Sequence, residues 1–153
     1  MNWTGKYFTL EEMVASPTAK RKGINNSPSE TVVANLRNLV KNVLDPLREA
    51  WGAPIVVTSG YRSSKLNATV GGARNSAHLY GYAADIRTLS DRPSENKKLR
   101  DLLIELDLPF DQLIDEYGCD WIHVSYKSSG NKHQLLSAVK KDGRTVYQSG
   151  IKK

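Results

Sequence analysis

The stretch Ser76-Ala77-His78-Leu79-Tyr80-Gly81-Tyr82-Ala83-Ala84-Asp85 decides how the rest of the chain is read. It holds one of the chain's 3 histidines, an acid further on and a glycine between them. Ala83, Ala84 and Ile86 flank the acid, which places Asp85 on a strand at the edge of a buried core. An ionised carboxylate there is costly unless a cation or strong donors accompany it. The seven residues from His78 to Asp85 would span roughly 23 Å if extended. The segment must therefore fold back if both side chains are to reach one point, and Gly81 is the residue best able to allow it. A second histidine lies in Trp121-Ile122-His123-Val124-Ser125, where Ile122 and Val124 face one side and Trp121, His123 and Ser125 the other. His78, Asp85 and His123, all carried on short apolar runs, match a zinc site with three protein ligands and one open position. The alternative for the same residues is a hydrogen-bonded His–Asp pair with a purely structural role. His133 sits in a polar loop and is expected on the surface.

An open zinc position makes water a usable nucleophile near neutral pH, and hydrolysis then needs a general base. Asp120, three residues before His123, is the nearest candidate, with Glu116 and Asp115 behind it. Residues three apart on a regular strand face opposite sides, so Asp120 can serve only if the chain turns or bulges at Cys119-Asp120, beside Gly118. Arg62 carries a permanent charge and a planar fork of donors, which suits it to the oxyanion of a tetrahedral intermediate. Its alternative is a surface ion pair. Cys119 reads as a small buried residue or a soft fourth ligand, and Tyr61, Tyr80 and Tyr82 as loop-packing rings.

Outward from this centre the pattern is of helices first and strands last. Thr9-Leu10-Glu11-Glu12 is a capping box opening a short helix, and Lys20 to Asn26 reads as a polar turn. Ser27-Pro28-Ser29-Glu30 predicts a helix start with Ser27 as cap and Pro28 at the first helical position. Val33, Leu36, Val40, Val43 and Leu47 then recur at helical spacing, widened by Val32, Leu39 and Leu44. Pro46 should kink this helix or restart it near Asp45, and Gly52 should end it. Ile55-Val56-Val57-Thr58 predicts a buried strand delivering Ser59-Gly60-Tyr61-Arg62-Ser63 on a loop. A short helix over 64–70, a strand over 83–87 and a helix opened by Pro93-Ser94-Glu95 follow, the last with Leu99, Leu102, Leu103 and Leu106 inward. Two strands, 112–117 and 121–126, flank a turn at Gly118, and a hairpin with an Asp142-Gly143 turn closes the chain. The fold class is α+β, a small antiparallel sheet flanked by helices.

The 153 residues are expected to form a single domain, 1–153. One cysteine rules out an internal disulfide. No apolar run approaches the roughly 20 residues of a membrane span, and the N-terminus shows no signal-peptide pattern. The expectation is a cytoplasmically made monomer without stable membrane association. The net charge of +6 favours anionic partners such as cell-wall polymers. Its clusters (Lys20-Arg21-Lys22, Lys97-Lys98, Lys140-Lys141, Lys152-Lys153) are too short for an arm or tail, and no nucleic-acid partner is expected.

The blocks Ser59-Gly60-Tyr61-Arg62-Ser63, Ser76-x-His78-x-x-Gly81-x-Ala83-x-Asp85 and Asp120-Trp121-Ile122-His123, in this order, resemble the zinc D-Ala-D-Ala carboxypeptidase family, peptidases of the M15 type. That family includes D-Ala-D-Ala dipeptidases and phage L-alanyl-D-glutamate endolysins, and shares the hedgehog/DD-peptidase fold. The resemblance runs from about Ser27 to Ser125. It implies Zn2+ on His78, Asp85 and His123, Asp120 as acid/base, Arg62 as oxyanion donor, and Ser76 near the substrate, with Tyr61 as a second substrate contact. It also implies hydrolysis of a peptidoglycan stem peptide, in a phage-like lysin released through holin pores or a bacterial enzyme. The competing expectation is a non-catalytic, zinc-stabilised cell-wall-binding module.

Overall fold

The computed structural model describes residues 3–151. Met1, Asn2 and the Lys152-Lys153 cluster lie outside the described residues. Six strands form one sheet in the order β1-β2-β4-β3-β5-β6: β1 (Ile55–Ser59), β2 (Ala83–Thr88), β3 (Gln112–Glu116), β4 (Trp121–Ser125), β5 (Gln134–Lys141) and β6 (Arg144–Ser149). The helices are α1 (Leu10–Val14), α2 (Pro17–Lys22), α3 (Glu30–Leu39), α4 (Asp45–Trp51), α5 (Ser64–Thr69) and α6 (Pro93–Glu105). The class is α+β, as the order of elements predicts. The sheet is mixed, however: β5 runs parallel to β3, with Gln112 opposite Gln134 and Glu116 opposite Ala138. The eight residues between β4 and β5 carry the chain back to the start of β3 rather than across a tight turn.

Alternation on the strands gives the sheet two different faces. Ala84, Ile86, Leu113, Ile122 and Val124 turn to the helices and pack with Leu36, Leu39, Val40, Val43, Leu47, Leu99 and Leu103. Each of the valine, leucine and isoleucine side chains contributes roughly 1.5–3 kcal/mol by leaving water. The opposite face carries Asp85, Ile114, Glu116 and His123 and is open to a cleft.

Local chemistry explains where the helices depart from expectation. The supposed turn after Lys20 is the end of α2: Ser16 caps it by accepting from Ala19 N–H, Pro17 fills the first turn, and Gly23 closes it at φ 64°. The following helix is capped by Ser29, not Ser27, because Ser29 accepts from Val32 N–H at 3.2 Å. Ahead of Pro46 the chain widens into a π turn over Val40–Leu44 and restarts as α4 at Asp45, as expected, so the missing N–H is absorbed without a break. Strand β1 pairs with β2 alone and is an edge strand, with Thr58 exposed rather than buried. Leu106 caps α6 and is 38% exposed, whereas Leu99 and Leu103 are buried as expected. His133 stacks on Phe110 with ring centroids 4.1 Å apart, far from the other histidines in role.

Candidate metal centre and active-site cleft

Backbone register brings the first two groups together. Asp85 on β2 lies directly opposite His123 on β4, and His123 lies opposite Ile114 on β3. His78 arrives on a 3-10 turn, Ala77–Tyr80, capped by Ser76 Oγ, which accepts from His78 N–H. Gly81 ends that turn at φ 76°, and a methyl group there would sit 2.8 Å from the Val32 carbonyl oxygen. Only glycine combines that backbone with that approach.

The His78 Nε2 lies 3.3 Å and the His123 Nδ1 3.0 Å from the same oxygen, Asp85 Oδ1. One ligand atom from each of the three residues falls within 4.8 Å of the other two. The Gly60 carbonyl, 2.6 Å from His78 Nδ1, can only accept, so Nδ1 carries the proton and Nε2 the lone pair. Burial opposes a second proton on His78, although Asp85 favours one. Burial also opposes ionisation of Asp85, but the adjacent histidines outweigh it and hold the carboxyl well below the usual range. A lone pair facing an ionised carboxylate in a buried site is an arrangement that a cation reconciles. The donor set fits a metal with nitrogen and oxygen ligands.

Gly60 holds this geometry from behind. Tyr61 N–H donates to the Met13 carbonyl at 2.8 Å, and a methyl group on Gly60 would collide with that same carbonyl oxygen. Gly60→Ala is therefore expected to lower stability by about 1–3 kcal/mol and to weaken metal binding by displacing the carbonyl that orients His78. A melting curve and a metal titration of the variant check this; wild-type values in both would remove Gly60 from the account.

The triad opens into a cleft of about 630 Å³. Arg62 and Ser76 stand on one side, with the Arg62 Nη2 3.4 Å from Ser76 Oγ and the Arg62 N–H bonded to the His78 carbonyl. Arg62 Nε is buried and lacks a hydrogen-bond partner among the described residues. Glu116, Tyr117 and Trp121 form the other side, backed by Leu136, Thr145 and Tyr147 from the final hairpin.

The expected site residues divide accordingly. His78, Asp85, His123, Arg62 and Ser76 meet at the cleft. Asp120 does not line it. Residues Tyr117, Gly118 and Cys119 all take positive φ, and this tight reversal leaves Asp120 exposed, its carbonyl accepting from Asn96 Nδ2. Glu116 does line it, because two-residue alternation puts it on the face of Ile114, across from Trp121. Asp115 points the other way and pairs with Arg100 at 2.7 Å, while Cys119, buried beside them, is no part of the triad. Burial pushes the Cys119 thiol up to about 11. Tyr61 packs against the core instead of lining the cleft. The hairpin residues and the Gly60 carbonyl had no sequence signal beyond strand alternation and a glycine in a loop.

Burial pushes the Glu116 carboxyl up to about 7; His123 opposes this, and Asp85 and Asp115 add to it. The metal-free folded chain thus holds a proton on Glu116 more tightly than the unfolded chain, whose value is near 4.5. Stability from this group is present below pH 4.5 and is lost as pH rises through about 7. His78 acts in the opposite sense, since its folded value is lowered. The difference in melting temperature between metal-free wild type and Glu116→Gln cancels His78 and isolates Glu116. It should move against wild type from pH 5 to pH 8; a constant difference would contradict the buried position of the carboxyl.

A family model described as Peptidase M15 matches residues 6–125. Over 44 residues the chain is 52% identical to a zinc D-Ala-D-Ala carboxypeptidase of Streptomyces albus G. That segment is 28% of this chain and 17% of the relative, so the chain spans well under two thirds of that protein's length.

Proposed function

The chain belongs to the peptidase M15 family, and from that premise we propose that it is a zinc-dependent hydrolase of peptide bonds in peptidoglycan stem peptides. The convergence of His78, Asp85 and His123 in an open cleft that also holds Glu116 and Arg62 carries this reading. The relative's name supports zinc as the metal and the terminal D-Ala-D-Ala bond as the first bond to test. Zinc held by these three residues would supply Lewis acidity, polarising the scissile carbonyl and making water nucleophilic near neutral pH.

The chain's own groups do the rest. The Gly60 carbonyl fixes the His78 ring so that its Nε2 lone pair faces the point shared with Asp85 Oδ1 and His123 Nδ1. Glu116 takes the proton released as water attacks and returns it to the leaving amine nitrogen, so the peptide bond is replaced by a carboxylate and a free amine. The Arg62 guanidinium, with its unpartnered Nε, donates to the oxygen of the scissile carbonyl as charge develops there. Asp120, which the motif spacing favours for the base, stands outside the cleft, and Glu116 takes the role in this proposal.

Among the described residues no helix is long and apolar enough to cross a membrane. Mass spectrometry of purified muropeptides incubated with the zinc-loaded protein tests the function. Loss of a terminal D-alanine is the expected product, and a cut between L-alanine and D-glutamate would identify an endopeptidase of the lysin kind. Intact muropeptides together with retained binding to cell-wall sacculi would overturn the enzymatic reading in favour of a wall-binding module.

A further inference from the structure

The β5–β6 hairpin lies wholly beyond residue 125, where the family match ends, yet it forms one wall of the cleft. Its parallel pairing with β3 sets Ala138 beside Glu116, and the antiparallel turn sets Tyr147 opposite Ala138 and Thr145 opposite Lys140. Alternation therefore places Lys140, Thr145 and Tyr147 on the same face of the hairpin as the wall above Glu116. Tyr147 is 56% exposed although it lines the cleft, an aromatic ring left uncovered at the mouth of a site. Burial and the charge of Glu116 both raise its phenol, which faces the same space.

Lys140 is placed by neutral groups. Its Nζ is 3.4 Å from Thr145 Oγ1 and 5.4 Å from the centre of the Tyr117 ring, and Tyr117 Oη meets Thr145 Oγ1 at 2.6 Å. Tyr117 is in turn braced edge-on by Trp121, 5.5 Å away. A hydroxyl and a ring face orient an ammonium without neutralising it. The rim of the cleft thus offers a held positive charge next to an exposed aromatic surface, and no acidic side chain stands on that face of the hairpin.

We propose that this face of the hairpin is a substrate subsite for a carboxylate-bearing peptide, with Lys140 pairing the carboxylate and the Tyr147 ring packing against the adjoining peptide. The proposal rests on the peptidase reading above and adds to it the wall that selects among stem peptides. Both residues are exposed, so replacing them leaves the fold intact, whereas deleting the hairpin would strip β3 of a neighbour.

The test uses zinc-loaded Glu116→Gln protein, in which peptide binding can be titrated calorimetrically without turnover. Two stem peptides identical except for one carboxylate converted to its amide are compared. The acid is expected to bind about three- to tenfold more tightly than the amide, the range for a partly exposed ion pair. Adding Lys140→Gln should bring that ratio to near one. Adding Tyr147→Ala should weaken both peptides alike, and Val146→Ala, on the opposite face, should change neither. An unchanged acid-to-amide ratio in the Lys140 variant would overturn the carboxylate subsite, and unchanged affinities in the Tyr147 variant would overturn the packing wall. Wild-type cleavage of the same peptides is measured alongside. Cleavage with either negative result sinks the subsite alone, whereas neither binding nor cleavage sinks the peptidase reading with it.

Discussion

Replacing His123 by alanine is expected to take the metal content from about one zinc per chain to well below that, and to abolish peptide hydrolysis with it. Three protein ligands are the minimum for a catalytic zinc with an open position. Removing one leaves His78 and Asp85, whose separation of 3.3 Å is better satisfied by a shared proton than by a weakly held ion. The ring itself is close to the cleft and only its metal-side nitrogen contacts Asp85, so the truncation should cost the site more than the core. Elemental analysis of protein purified without a histidine tag reads the stoichiometry directly. Full zinc in His123→Ala would return these residues to the other reading of the motif, a structural His–Asp pair.

The second large effect concerns the proton. Glu116→Gln keeps shape and hydrogen-bonding capacity but cannot accept a proton, and turnover should fall about 10²–10⁴-fold. Zinc content should stay near one. Asp120→Ala should by contrast stay within a few-fold of wild type, because that side chain is exposed on the turn and does not line the cleft. The two variants are informative only as a pair, assayed on the same muropeptide with metal content measured in each. A severe loss in Asp120→Ala beside a mild one in Glu116→Gln would reverse the assignment.

The neighbouring network explains why Glu116 can be held in place at all. Asp115, next in sequence, accepts from Arg100 and from Cys119 N–H on the opposite face of the sheet. Asn96 then ties α6 to the turn by donating to the Cys119 and Asp120 carbonyls at 2.9 and 3.2 Å. The turn that carries three successive positive-φ residues is thus anchored to a helix. Breaking a buried pair such as Arg100–Asp115 leaves an uncompensated charge, which is a severe loss.

How much of this the sequence determined varies with the range of the interaction involved. The stripe from Val33 to Leu47, the capping box at Thr9, the Gly52 stop and the Asp142-Gly143 hairpin are local statements, fixed by residues within a turn or two of each other. The grouping of His78, Asp85 and His123 was legible too, because short apolar runs deliver each residue to a sheet and Gly81 permits the reversal between the first two. Ser27 and Ser29 can each cap a helix by sequence, and only the folded backbone, in which Ser29 accepts from Val32 N–H, chooses between them; α2 in turn is held by the packing of Ala19 and Ile24 with Leu66, which its polar sequence does not announce. The tertiary structure alone put Glu116, and not Asp120, in the cleft. Sequence distance to His123 favours Asp120, but the face a side chain occupies depends on how the chain turns between two paired strands. It also decided the parallel pairing of β5 with β3, which no local pattern encodes, since strand alternation is the same in either direction. That pairing is what brings Lys140, Thr145 and Tyr147 to the cleft, for a strand's neighbours are set by the whole sheet and not by the strand.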